Sequence, residues 1–81
     1  MRVAVHFYSY LKETTGCTET VETLAAGGTI DDLIKQLIER FPKLGAMQNS
    51  TLIAVGVEYQ GKNYVLKEGE EVSLFPPVQG G

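Results

Sequence analysis

The segment Thr29-Ile30-Asp31-Asp32-Leu33-Ile34-Lys35-Gln36-Leu37-Ile38-Glu39-Arg40-Phe41-Pro42 places Ile30, Leu33, Ile34, Leu37 and Ile38 at the i, i+3, i+4, i+7, i+8 spacing of one helical face. Thr29 stands where an N-cap is needed, and Asp31 and Asp32 complement the positive end of the helix dipole. Arg40 lies near the negative end, and Pro42 stops the run. Upstream, Gly27-Gly28 breaks the chain before the cap. One helix with a single apolar stripe must cover the face of something else, so the flanks should supply a sheet.

They do so on both sides. Residues 2 to 8 alternate Val3, Val5 and Phe7 with Arg2, Ala4, His6 and Tyr8, the period of a strand with one buried face. Residues 9 to 17 tolerate a short helical turn that Gly16 can end, and residues 18 to 24, rich in Thr and Val, suit a second strand. Beyond Pro42, Lys43 to Thr51 reads as a loop with a turn near Leu44–Met47. Leu52 to Val57 is apolar on both alternating faces, as in a strand covered on part of both sides. Tyr59 to Tyr64 reads as a turn into a short edge strand, Tyr64 to Leu66. Lys67-Glu68-Gly69-Glu70 is a polar turn before a last strand, Glu71 to Phe75. The order β-β-α-β-β-β predicts a two-layer α+β domain over residues 1–75, with the helix on one face of a mixed sheet. The β-grasp fold is the simplest such arrangement, and periodicity leaves other two-layer topologies of the same order open.

Composition narrows the function. The 81 residues are 43% hydrophobic and 21% charged, which suits one folded domain with one core. Seven basic against ten acidic side chains give a net charge of -3, so no broad basic field is available for nucleic acid. No apolar run approaches membrane-spanning length, and Met1-Arg2-Val3-Ala4-Val5-His6 lacks a secretory h-region, so a cytoplasmic protein is expected. Cys17 is alone and cannot form an internal disulfide, in keeping with a reducing compartment. It lacks the Cys-x-x-Cys pattern or basic cluster that would activate a thiol. His6 has no partner at metal-ligand spacing, so no metal is expected. With one histidine there is no Ser/His/Asp set, and Gly27-Gly28 falls short of a phosphate-binding loop. An independent active site and a bound cofactor are therefore not expected.

After Phe75 the chain runs Pro76-Pro77-Val78-Gln79-Gly80-Gly81, and residues 76–81 read as an extended tail. Two prolines fix φ and donate no backbone hydrogen bond, so strand pairing is disfavoured. Six residues at ~3.1 Å each would reach roughly 19 Å when extended, enough to enter another protein's active site. From Ser73 onward no side chain is charged, so the segment would not be repelled by a phosphate-bearing substrate. Gly80 and Gly81 lack Cβ, which lets a backbone pass a narrow channel and leaves a terminal carbonyl open to attack. A carboxylate is a poor electrophile, so such a terminus needs an activating partner. Phe75, at the base, suits an anchor against that partner, outward of the alternating Val72 and Leu74.

Leu74-Phe75-Pro76-Pro77-Val78-Gln79-Gly80-Gly81 resembles the terminal signature of molybdopterin synthase small subunits, a family of ubiquitin-like sulfur carriers. Tyr10-Leu11-Lys12-Glu13 with the following Gly16 resembles another family segment, with Lys12 where arginine is common. Leu66-Lys67-Glu68-Gly69-Glu70-Glu71-Val72 resembles the turn into its last strand. The resemblance implies a β-grasp protein whose Gly81 is adenylated by a ubiquitin-activating-like adenylyltransferase using ATP, then converted to a thiocarboxylate by a sulfurtransferase system. It further implies insertion of residues 75–81 into a large subunit, in a hetero-oligomer of two small and two large subunits, with sulfur passed to cyclic pyranopterin monophosphate. The catalytic side chains would belong to the large subunit. Two alternatives share the diglycine logic: a carrier that delivers sulfur to thiazole, cysteine or transfer RNA, and a ubiquitin-like protein modifier.

Overall fold

The computed structural model describes residues 1–77. Alternation in the N-terminal segment forms β1 (Arg2–Phe7), which buries Val3, Val5 and Phe7 and turns Arg2, Ala4 and His6 the other way. A short helix, α1 (Leu11–Thr15), follows and ends at Gly16, whose φ of 79° is the left-handed cap that glycine adopts without strain. Next come β2 (Glu19–Thr23) and α2 (Ile30–Arg40). A 3-10 segment (Pro42–Met47) leads to β3 (Leu52–Val55), β4 (Glu58–Tyr59) and β5 (Glu71–Phe75).

Among the described residues the strands form one mixed sheet in the order β2-β1-β5-β3-β4. β1 and β5 run parallel at its centre, with Val5 beside Val72 and Phe7 beside Leu74; the other pairings are antiparallel. α2 lays Ile30, Leu33, Ile34 and Leu37 on one face, against Val3, Val5, Phe7, Ile53, Val55, Val72 and Leu74. Burying each such side chain contributes about 1.5–3 kcal/mol, so this layer supplies most of the driving force. This is the β-grasp arrangement expected from the sequence.

Local chemistry sets the helix where the pattern placed it. Thr29 Oγ1 accepts from the Asp32 amide at 3.3 Å, and the Asp32 carboxylate accepts from the Thr29 amide at 2.9 Å. The pair is a reciprocal cap that satisfies two otherwise orphan donors. The Thr29 amide, and then its hydroxyl, hold the Asp32 carboxyl below the usual carboxylate range. Asp31 and Lys35 pair one turn apart at 3.1 Å.

Three features differ from the expectations. Pro42 ends α2 and also opens the 3-10 segment, because proline suits a first helical turn while excluding a helix interior. The strand after the loop stops at Val55: Gly56, at φ 62°, makes a tight turn with Val57, and the edge strand is Glu58–Tyr59. Tyr64–Leu66 is therefore not the edge strand. Its backbone goes to the start of α2, where the Leu66 amide donates to Gly28 O at 2.9 Å and the Ile30 amide donates to Tyr64 O at 3.0 Å. Only Val65 bridges, to Thr29, and Leu66 is buried in the core.

The parity of β2 could not be foreseen from its composition. Val21 faces outward and Glu22 is buried, although valine is the better core residue. Glu22 accepts from Gln36 Nε2 at 2.9 Å, from Thr20 Oγ1 at 3.0 Å and from Arg40 Nη1. These donors satisfy the carboxylate, which is what burial of a charge requires. No helix among the described residues is long and apolar enough to cross a membrane.

Candidate functional site

β5 is flanked by β1 and β3, so its end leaves the sheet from a supported position and not from a fraying edge. Phe75 pairs with Leu52 in the last register position, and Pro76 and Pro77 follow, both half-buried. Val78, Gln79, Gly80 and Gly81 lie outside the described residues.

Phe75 does not enter the core; Val72 and Leu74 do, and alternation turns Phe75 to the face opposite α2. There its ring stacks on Tyr8, with centroids 4.7 Å apart and planes at 13°. Tyr59 meets Phe75 edge-on at 6.4 Å. Such geometries are the favoured aromatic arrangements and fix ring orientation as well as burying area. Tyr8 and Tyr59 remain 42% and 70% exposed, so the three rings form a surface platform where Pro76 and Pro77 leave the sheet. The Tyr8 amide donates to Leu74 O at 3.2 Å, carrying the β1–β5 ladder up to the platform.

Beside the platform the open sheet face is small and polar. The row Ala54, Ser73, His6 and Glu19 crosses the strands by register. His6 is bracketed by acids, with Nε2 3.1 Å from Glu71 Oε1 and Nδ1 3.5 Å from Glu19 Oε2. An open-sided hollow of about 310 Å³ lies between His6, Phe7, Tyr8, Lys12, Thr18 and Glu19. Lys12 is an exposed cation on α1. Among the described residues no group of three His, Cys, Asp or Glu side chains is placed to hold a metal ion. Cys17 is half-buried against the core, with Sγ 3.7 Å from Thr15 Oγ1, which makes it a packing residue. Tyr64 donates to Glu70 at 2.7 Å, and that bond raises its phenol above its ordinary value.

Of the residues singled out in the sequence, Phe75, Pro76 and Pro77 come together at one exit point. Tyr8 and Tyr59 were not singled out. Each is an aromatic residue in or beside a strand and exposed; Tyr8 falls on the outward parity of β1, a signal open to recognition without a structure. What the site offers chemically is recognition: stacked rings, an adjoining acid pair and an exposed lysine around the root of a proline-stiffened segment.

Comparison with known proteins agrees with that reading of the architecture. The chain is 32% identical to a molybdopterin synthase sulfur carrier subunit of Chlamydomonas reinhardtii, covering all of both chains. A Pyrococcus furiosus structure provisionally named molybdopterin converting factor, subunit 1, superposes with a TM-score of 0.89 at 27% identity, covering 96% of this chain and 99% of that one. A chain in a Helicobacter pylori complex of subunits 1 and 2 of molybdopterin-converting factor superposes with a TM-score of 0.72 at 26% identity, with both chains fully covered. The ThiS family profile matches residues 5–81, and the chain belongs to the ThiS family.

Proposed function

We propose that this chain is the sulfur carrier subunit of a molybdopterin synthase, with residues 1–75 as a rigid holder and residues 76–81 as the arm that carries the sulfur. Two observations bear most of the weight. The arm leaves from β5 at the sheet centre, behind a ring platform, and full-length identity of 32% links the chain to a protein of that name.

In this reading an adenylyltransferase joins the Gly81 carboxylate to the AMP moiety of ATP and releases pyrophosphate. A hydrosulfide equivalent released by a sulfurtransferase attacks the activated carbonyl carbon, the bond from that carbon to the AMP oxygen breaks, AMP departs, and a thiocarboxylate remains. The arm then enters the large subunit, and the sulfur of Gly81 attacks a carbon of cyclic pyranopterin monophosphate and displaces the oxygen bonded to that carbon. Water cleaves the resulting acyl–sulfur bond and regenerates the carboxylate, and a second round completes the dithiolene. Phe75, Pro76, Pro77, Val78, Gln79 and Gly80 guide the terminus, Phe75 by docking and the prolines by stiffness. The lone, packed Cys17 suits a reducing, cytoplasmic setting.

The test is reconstitution with a large subunit, the activating enzyme, a sulfur source and the pterin precursor. Dithiolene should form with the full chain and not with a chain lacking Gly81. Full activity without Gly81, or sulfur delivered to thiazole and not to pterin, would overturn the reading.

A further inference from the structure

Ser9 is the single non-glycine residue with positive φ among the described residues, at 56°. L-residues adopt this left-handed conformation at a steric cost, and such outliers persist where surrounding structure holds them. The surroundings show what is held. β1 ends at Phe7 and α1 begins at Leu11, so only Tyr8, Ser9 and Tyr10 convert extended chain into helix. Leu11 is fully buried, whereas Tyr8 must lie on the opposite face of the sheet. A left-handed residue between them satisfies both demands in one step. The Leu11 amide donates to Tyr8 O at 3.2 Å and the Lys12 amide to Ser9 O at 3.1 Å, so the start of α1 locks the turn.

The locked turn acts on the root of the arm. From it the Tyr8 amide reaches Leu74 O at 3.2 Å while the Tyr8 ring lies flat on Phe75. Phe75 is the last strand residue before Pro76 and Pro77, whose fixed φ carries its direction onward. We infer that Ser9 and Tyr8 are positioning residues that aim the arm, an inference resting on the sulfur-carrier reading. Their part is to set the direction in which the reactive end enters the partner, separately from how tightly the partner is held. Reacting groups misplaced by about 1 Å can lose about a hundredfold in rate, so aim at the root has leverage at the far end.

The experiment uses the full chain, loaded beforehand as the Gly81 thiocarboxylate, with the large subunit and the pterin precursor. It compares wild type with Tyr8→Ala, Tyr8→Phe, Ser9→Val and Ser9→Gly. The readouts are the first-order transfer rate at saturating large subunit, the affinity for that subunit, and the NMR shifts of the Phe75 ring protons. Tyr8→Ala and Ser9→Val should slow the saturated rate by about tenfold or more, and Tyr8→Phe should restore it. The part of the Phe75 ring-current shift that comes from Tyr8, read as the part lost in Tyr8→Ala, should be lost in Ser9→Val and persist in Ser9→Gly, because glycine accepts φ 56° without strain. If Tyr8→Ala weakens affinity alone and leaves the saturated rate intact, Tyr8 docks and does not aim. Retention of the Phe75 shift in Ser9→Val would remove Ser9 from the device. Should the wild-type chain transfer no sulfur, the sulfur-carrier reading fails instead, and the Phe75 shifts still decide whether Ser9 holds Tyr8 on Phe75.

Discussion

Arg40 on α2 closes over the carboxylate of Glu22 on β2; the Glu22 side chain is 2% exposed while that of Arg40 remains 51% exposed. The pair joins the helix to the outer strand across the layer interface, with Gln36 and Thr20 filling the remaining positions around Glu22. Removing Arg40 leaves a buried carboxylate short of its charge partner, whereas removing the carboxylate leaves Arg40 in contact with water. Breaking a fully buried pair costs ~3–5 kcal/mol, and the exposure of Arg40 reduces this to about 2 kcal/mol. Arg40→Ala should therefore destabilise more than Glu22→Leu, measured as the shift in the urea unfolding midpoint at fixed slope. Equal losses in the two variants would contradict the asymmetry.

The cap of α2 gives a prediction in pH. Asp32 has its folded value lowered from 3.8 by the Thr29 amide and hydroxyl. A carboxyl lowered by folding contributes stability that is present above its unfolded value and is lost as pH falls through the folded one. Urea midpoints taken downward from about pH 5 should fall in the wild-type chain, and more gently in Asp32→Asn, which has no charge to lose at that position. The two curves should converge at the acid end. Parallel curves would show that the cap carries no linked proton.

Phe75 supports the fold only from the outside, since its ring rests on Tyr8 and Tyr59 above a sheet whose core lies on the other face. Phe75→Ala should cost about 1 kcal/mol of stability, a surface-level loss. Its effect on large-subunit affinity should be larger, about 2 kcal/mol or more if the ring anchors the interface. Isothermal titration beside urea unfolding separates the two, and an affinity change no larger than the stability change would argue against docking through this ring.

Much of this architecture can be read without coordinates, and the reasons lie in particular residues. α2 is legible because Ile30, Leu33, Ile34 and Leu37, the Thr29 cap and the Pro42 stop are all local signals that agree. Gly16 and the final strand are legible for the same reason. The edge strand is harder, because Gly56-Val57 continues an apolar run while Gly61-Lys62-Asn63 carries stronger turn chemistry. The turn that matters depends on which segment reaches β3 first, and that is tertiary. Glu22 is opaque because its burial depends on Arg40 and Gln36, residues on a different element. The platform splits likewise: Phe75 is visible beside the prolines, whereas Tyr8 and Tyr59 join it only through the β1–β5 and β3–β4 pairings.

In the proposed function the holder presents Gly81 for sulfur loading. Intact mass spectrometry of the chain after incubation with ATP, the activating enzyme and a sulfur source tests it most directly. The expected result is a gain equal to the exchange of one oxygen for one sulfur, located by fragmentation at Gly81 and absent when ATP is withheld. An unchanged mass with an active enzyme and donor, or the same gain in a chain lacking Gly81, would contradict it. Attachment of the chain to lysines of other proteins would point to a protein modifier instead.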